Sequence, residues 1–283
     1  MNPVEQAIWF IESHFAQPLD LDEIAQSGGI SRFHMSRAFV VATGRPVIGY
    51  LRARRLTEAA RQLANGAPDI LSVALEAGYG SHEAFTRAFR DQFGITPEQV
   101  RAARDLEPLQ LVEPIVLDSS PRTDLPPPRL EQGRALLIAG LSGRYGCEGP
   151  GGIPAQWQRF GEHIGHIPGE LGPKETGGAA YGVVLNGDDL GNFDYVSGVE
   201  VADFSDLPEG FVSVRLPARL YAVFHHAEHV STIRRTMHAI YTQWLPESAY
   251  QPDDAPFFER YGPEFDPRTG EGGLEAWIPV KAK

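Results

Sequence analysis

Lysine is missing from the first 105 residues, which hold 11 Arg against 12 Asp plus Glu. Cysteine occurs once, at Cys147, so neither an internal disulfide nor a cysteine-based zinc cluster can form. No apolar run approaches the length of a membrane span. The N-terminus has no basic residue before Arg32 and no apolar h-region, so a secretory signal is not expected. Together these absences point to a reducing, cytoplasmic compartment and no membrane partner. What is present is a 283-residue chain with 42% hydrophobic content, enough to bury two cores. Its formal charge of -12 is unevenly spread: residues 1–105 sum to -1, and residues 106–283, with 14 basic and 25 acidic side chains, to -11. An acidic chain avoids DNA unless its cations are localised, so any DNA-binding surface must lie in the first part.

That first part contains a repeat. "SRFHMSRAFVVATG" (31–44) and "SHEAFTRAFRDQFG" (81–94) share Ser31, Arg37, Ala38, Phe39 and Gly44 with Ser81, Arg87, Ala88, Phe89 and Gly94, at a constant offset of 50. Ser is a good helix N-cap and Gly the usual stop, and Met35, Ala38 and Phe39, like Phe85, Ala88 and Phe89, form one apolar stripe. Each copy follows a shorter amphipathic segment, "IAQSGGIS" (24–31) or "VALEAGYGS" (73–81), with Ala25 to Gly29 and Ala74 to Gly78 at the same spacing. Helix, Gly-containing turn and capped second helix make a helix-turn-helix, whose second helix enters the major groove of DNA. Between the copies, "PVIGYLRARRLTEAARQLA" (46–64) reads as a helix starting with Pro at N1. At about 1.5 Å per residue it spans on the order of 28 Å, close to a DNA turn of about 34 Å.

Residues 5–104 resemble the DNA-binding domain of AraC-type transcription regulators, on "YLRARRL" and "AGYGSHEAFTRAFRDQFGITP". The resemblance implies a bipartite, bacterial reader of double-stranded DNA with base contacts near the start of each second helix. Here these are Arg32, Phe33, Ser36 and Arg37, then His82, Glu83, Thr86, Arg87 and Arg90. Arg suits the O6/N7 edge of guanine, Glu accepts from cytosine N4, and Phe touches a thymine methyl. The alternative is that these residues only form solvated faces of a helical bundle. Arg52, Arg54, Arg55, Arg90, Arg101 and Arg104 remain as phosphate contacts or as stems covering the bundle.

After Arg104 the pattern changes. "LQLVEPIVL" (109–117) has the form of a short strand, and the polar stretch 118–133, which ends in the Pro-rich "PRTDLPPPRLEQG", that of a linker. Two rounds of strand, helix, strand, strand follow: "RALLIAGLSG", "PAQWQRFGEHIG", "AAYGVVLNG" and "FDYVSGVEVAD", then "ARLYAVFHH", "VSTIRRTMHAIYTQWL", "APFFERYG" and "GGLEAWIPVKA". The expected fold is multidomain, an all-α tandem helix-turn-helix domain over 1–107, a linker over 108–126 and an α+β domain of duplicated modules over 127–283.

Residues 127–283 resemble the GyrI-like effector-binding domain, on "IAGLSGRY", "FDYVSGVEV", "FERYGPEFDP" and "LEAWIPV". The resemblance implies a pocket for small cationic or aromatic molecules around one acid, placed at Glu259. In a strand, "FFERY" sets Phe257, Glu259 and Tyr261 on one face. Trp157, Tyr195, Tyr261, Trp244 and Trp277 are the expected lining, and a cation would meet Glu259 with cation–π help from Tyr261, Trp244 or Trp277. The alternative for Glu259 is a structural salt bridge to Arg144 or Arg219. His225, His226 and His229 lack a third ligand at fixed spacing, so no metal or cofactor is expected.

The function expected is a ligand-responsive transcription regulator with no catalytic residue. Two alternatives remain: a reader whose second domain binds a protein such as RNA polymerase, and a hydrolase of small toxic compounds acting through Glu259. Because Glu259 belongs to the other domain, its substitution is expected to leave DNA binding unchanged.

Overall fold

The computed structural model of the protein describes residues 2–117, 124–146, 152–172 and 178–283. Cys147 and residues 118–123 of the expected linker lie outside them. The reader runs through α1 (Pro3–His14), α2 (Leu21–Ser27), α3 (Arg32–Thr43), α4 (Val47–Ala64), α5 (Ile70–Glu76), α6 (His82–Phe93) and α7 (Pro97–Ala103). The repeat signals act where they stand. Ser31 and Ser81 cap α3 and α6 by accepting from the His34 and Ala84 amides, and Gly44 and Gly94 end them in the left-handed conformation at φ 73° and 75°. Pro46 stands one place earlier than expected, as the N-cap of α4.

The second unit has its own core, in which Phe85, Phe89, Phe93 and Val100 meet Leu56, Leu63 and Val73. The first does not. Its Ile8, Ile11, Ile24, Met35, Phe39 and Tyr50 belong to one apolar cluster with Val184, Tyr195, Phe224, Tyr241 and Phe257 of the second domain. The expected strand 109–117 is absent. That stretch runs as irregular chain along α4, the Val112 amide donating to Thr57 Oγ1 at 3.0 Å and the Ile115 amide to the Tyr50 hydroxyl at 3.1 Å.

The second domain contains β1 (Arg129–Gly133), β2 (Leu136–Tyr145), α8 (Ile153–Gly161), β3 (Ala180–Leu185), β4 (Phe193–Glu200), β5 (Phe211–Leu216) and β6 (Arg219–His226). A 3-10 turn (Val230–Thr232), α9 (Ile233–Ala239), a π-helical turn (Ile240–Trp244) and α10 (Leu245–Glu247) follow, then β7 (Tyr250–Pro252), β8 (Phe257–Tyr261) and β9 (Leu274–Ala282). The antiparallel sheet has the order β1-β6-β9-β8-β3-β4-β2-β5, with β7 paired to β9. The two modules, β2-α8-β3-β4 and β6-α9-β8-β9, therefore meet where β3 pairs with β8, and Gly182 lies opposite Glu259 at that seam. One face of the sheet carries the cluster shared with the reader. The other packs Tyr181, Val183, Tyr221, Phe258 and Trp277 together.

Candidate ligand-binding and DNA-reading sites

Alternation along β8 turns Phe257, Glu259 and Tyr261 to the shared face. Glu259 Oε2 accepts from the Tyr195 hydroxyl at 2.9 Å and from the Tyr261 hydroxyl at 2.8 Å. Trp157 Nε1 donates to the Tyr195 oxygen at 3.0 Å, and the Trp157 ring meets that of Tyr261 edge-on at 5.0 Å. Trp157 and Tyr195 come from the first module, Glu259 and Tyr261 from the second, so the acid is clasped across the seam. Burial raises the Glu259 pKa, against the opposing pull of the two phenols and of the nearby Arg37 charge. Burial and the Glu259 charge in turn push both phenols well up.

Gly182 makes the clasp possible. A Cβ there would lie 2.0 Å from the Tyr195 hydroxyl oxygen and 2.9 Å from Glu259 Oε2. The sequence carried a signal for it, an isolated Gly inside the strand pattern "AAYGVVL", which marks close approach of another group.

Two of the expected lining residues are elsewhere. Trp277 alternates to the opposite face, where its ring stacks on Phe258 at 5.2 Å and its Nε1 donates to Glu275 at 3.0 Å. Trp244 packs edge-on against Phe224 at 5.1 Å and parallel to Tyr250, as core of the second module. The alternative salt bridges to Glu259 are not made either: Arg144 pairs with Asp188 and Asp194, and Arg219 with Asp253. His226 is engaged by Thr236 Oγ1 at 2.8 Å and by the His229 carbonyl.

The DNA-reading residues divide by unit. On α6, Glu83, Arg87 and Arg90 are exposed, and His82 Nε2 approaches Glu98 at 2.9 Å. Thr86 differs from expectation in turning its Oγ1 inward, where it is buried without a hydrogen-bond partner among the described residues. On α3, all four expected readers touch the second domain. Arg32 pairs with Asp189 at 2.6 Å, the Ser36 hydroxyl donates to the Asp188 carbonyl at 3.0 Å, and Phe33 lies against Gly187. Arg37 reaches furthest, its guanidinium carbon 3.2 Å from the ring centroid of Phe257 and 5.8 Å from that of Tyr241. Nothing in the sequence distinguished an Arg that faces DNA from one that faces another domain.

Among the phosphate candidates, Arg54 is buried between Glu12 and Glu58 and donates to the Val112 carbonyl, which fixes it as structural. Arg55 caps the Phe15 and Gln17 carbonyls. Arg52, Arg90 and Arg104 stay exposed. A cavity of about 280 Å³ between Gly28–Ile30 and Tyr241–Tyr250, and one of about 550 Å³ between α3 and Gly187–Leu190, both follow the interdomain seam. No helix among the described residues is long and apolar enough to cross a membrane.

Residues 126–281 match the family described as the GyrI-like small molecule binding domain, and residues 24–103 match a helix-turn-helix domain of the AraC type. The transcriptional regulator Rob of Salmonella typhimurium is 39% identical over 110 residues, 39% of this chain and 38% of that protein, so the chain spans well under half of that relative. The regulatory protein SoxS of Escherichia coli is 36% identical over 98 residues, 35% of this chain and 92% of that protein. Among solved structures, SAV2435 bound to tetraphenylphosphonium is similar at 23% identity and a TM-score of 0.43, over 54% of this chain and 93% of that one.

Proposed function

For a chain that belongs to the GyrI-like small molecule binding family, with an AraC-type helix-turn-helix reader before it, we propose a DNA-binding transcription regulator whose second domain senses a small aromatic cation. The observation that carries this reading is Glu259, a buried carboxylate held by two phenols and ringed by Trp157 and Phe257. A desolvated carboxylate beside aromatic faces binds a cation through charge and cation–π contact and rejects the neutral isostere. Arg87 and Arg90 on the exposed face of α6 support base or phosphate contact by the second unit.

Calorimetry of the full chain with benzamidinium and with neutral benzamide tests the sensor. Binding of the first and not the second is expected. Glu259→Gln, which keeps the shape and removes the charge, should cost about 2 to 5 kcal/mol of benzamidinium affinity, the scale for breaking one side of a buried charge pair. Equal affinity in both chains would overturn the cation site. The raised Glu259 pKa also favours the hydrolase alternative, since a protonated carboxyl can act as a general acid. Turnover of an added strained cyclic ester or epoxide, lost in Glu259→Gln, would select it over the sensor.

A further inference from the structure

An incoming cation would have to sit near the place that Arg37 already fills. The Arg37 guanidinium lies over the Phe257 ring, beside Tyr241 and within electrostatic reach of Glu259, although it comes from the first recognition helix of the reader. The residue as a whole is half-buried, but its charged head lies deep, and Nε is buried with no hydrogen-bond partner among the described residues. The same face of α3 is held by Asp189 on Arg32, by the Asp188 carbonyl on Ser36 and by Gly187 under Phe33. That face cannot lie in a major groove while these contacts stand, whereas the corresponding face of α6 is open.

We infer that Arg37 is the resident cation of the Glu259 site, so that a small cationic ligand enters by displacing it and thereby frees α3 to read DNA. This rests on the reading of that site as a cation site given above. The docked arrangement is suited to displacement. Burial is the largest influence on both partners, lowering the pKa of Arg37 and raising that of Glu259, so the pair returns less than its desolvation costs. The unpartnered Nε adds to that cost. A ligand that satisfies Glu259 without tethering a helix has the differential affinity that a shift between docked and released states requires.

The substitution Glu259→Gln, expected from sequence to leave DNA binding unchanged, should therefore loosen α3. The decisive experiment uses the full chain, its Arg37→Ala variant and benzamidinium. Removing the resident cation should tighten benzamidinium about tenfold or more, because the site no longer has to be vacated first. Arg37→Met, which keeps an apolar stem, should change in the same direction and guards against a chain that folds poorly. In the wild type, saturating benzamidinium should speed hydrogen exchange of amides in residues 32–40 and 187–191 and leave residues 82–93 unchanged. Equal affinity of wild type and Arg37→Ala, or unaltered exchange in α3 at saturation, would overturn the competition while the cation site stood. Failure of benzamidinium to bind even Arg37→Ala and Arg37→Met would overturn the cation site as well.

Discussion

Single residues decide the geometry at Glu259, and two of them give tests independent of any ligand. Gly182→Ala places a methyl group 2.0 Å from the Tyr195 hydroxyl, so the ring must move and its hydrogen bond to Glu259 must lengthen. A loss of about 1 to 3 kcal/mol in denaturant unfolding, the usual scale of overpacking, is expected together with weaker benzamidinium binding. Unchanged stability and affinity would show that the clasp is loose. His34, on the inward side of α3, is buried, and its pKa is pushed down to about 4 by burial first and by the Arg37 charge second. Asp253 opposes and Lys281 assists that shift from the second domain. A depressed His contributes stability that is complete above its ordinary value of about 6.5 and is lost as pH falls toward the folded value. The difference in unfolding free energy between the wild type and His34→Gln should therefore change by about 3 kcal/mol between pH 7 and pH 4, the wild type losing more. Parallel pH profiles would place a charged His34 in the folded protein. Glu259 was legible at this scale from "FFERY" alternation, as was its company with Tyr261. The loss of Trp277 to the other face was in principle legible too, since it depends only on strand parity, but the register of β9 against β8 is fixed by partners remote in sequence.

At the scale of elements, the helices were legible because their ends are chemically marked. Ser31, Gly44, Ser81 and Gly94 act as caps where they stand, and the strands of both modules fall where the apolar runs lie. What escaped were edges. β1, "RLEQG", is polar because it pairs only with β6, and β5, "FVSVRL", adds to the far edge beside β2. The stretch 109–117 alternates like a strand, yet it fills the groove along α4 because Thr57 and Tyr50 satisfy its amides. The two recognition helices look alike in sequence and differ in surroundings, so their variants should differ in effect. Arg87→Ala, on open α6, should cost about 1 to 3 kcal/mol on a duplex selected in vitro for tight binding, and should relax preference at one box. Arg37→Ala should show a smaller net loss in the same gel-shift titration, because removing its base contact also removes its tie to Phe257. Equal losses would mean that α3 is not held back in solution.

For the whole molecule the governing fact is that the charge separated along the sequence is brought together in space. The second domain holds nearly all the excess negative charge, and its 187–194 loop sets Asp189 against Arg32 on the reader, where a phosphate would otherwise compete for the same guanidinium. No periodicity announces such a contact, since it joins residues 157 apart and an exposed Arg reads the same whether its partner is a base, a phosphate or a carboxylate. The contact does have a thermodynamic signature. Asp189→Ala removes one tie on α3 and leaves the Glu259 site and every expected base reader in place, so it should raise affinity for a random-sequence duplex of about 30 base pairs, long enough to carry the roughly 20 that two half-sites one turn apart require. Arg32 then becomes free to neutralise a phosphate, and each phosphate neutralised releases counterions with a slope of about 0.9 in log affinity against log salt. Measured by fluorescence anisotropy between about 50 and 200 mM salt, the variant should therefore bind more tightly than the wild type at the low end. Its salt dependence should be steeper by about one unit. An identical slope with identical affinity would mean that the acidic loop does not restrain the first recognition helix, and the docked arrangement of the two domains would have no bearing on DNA binding.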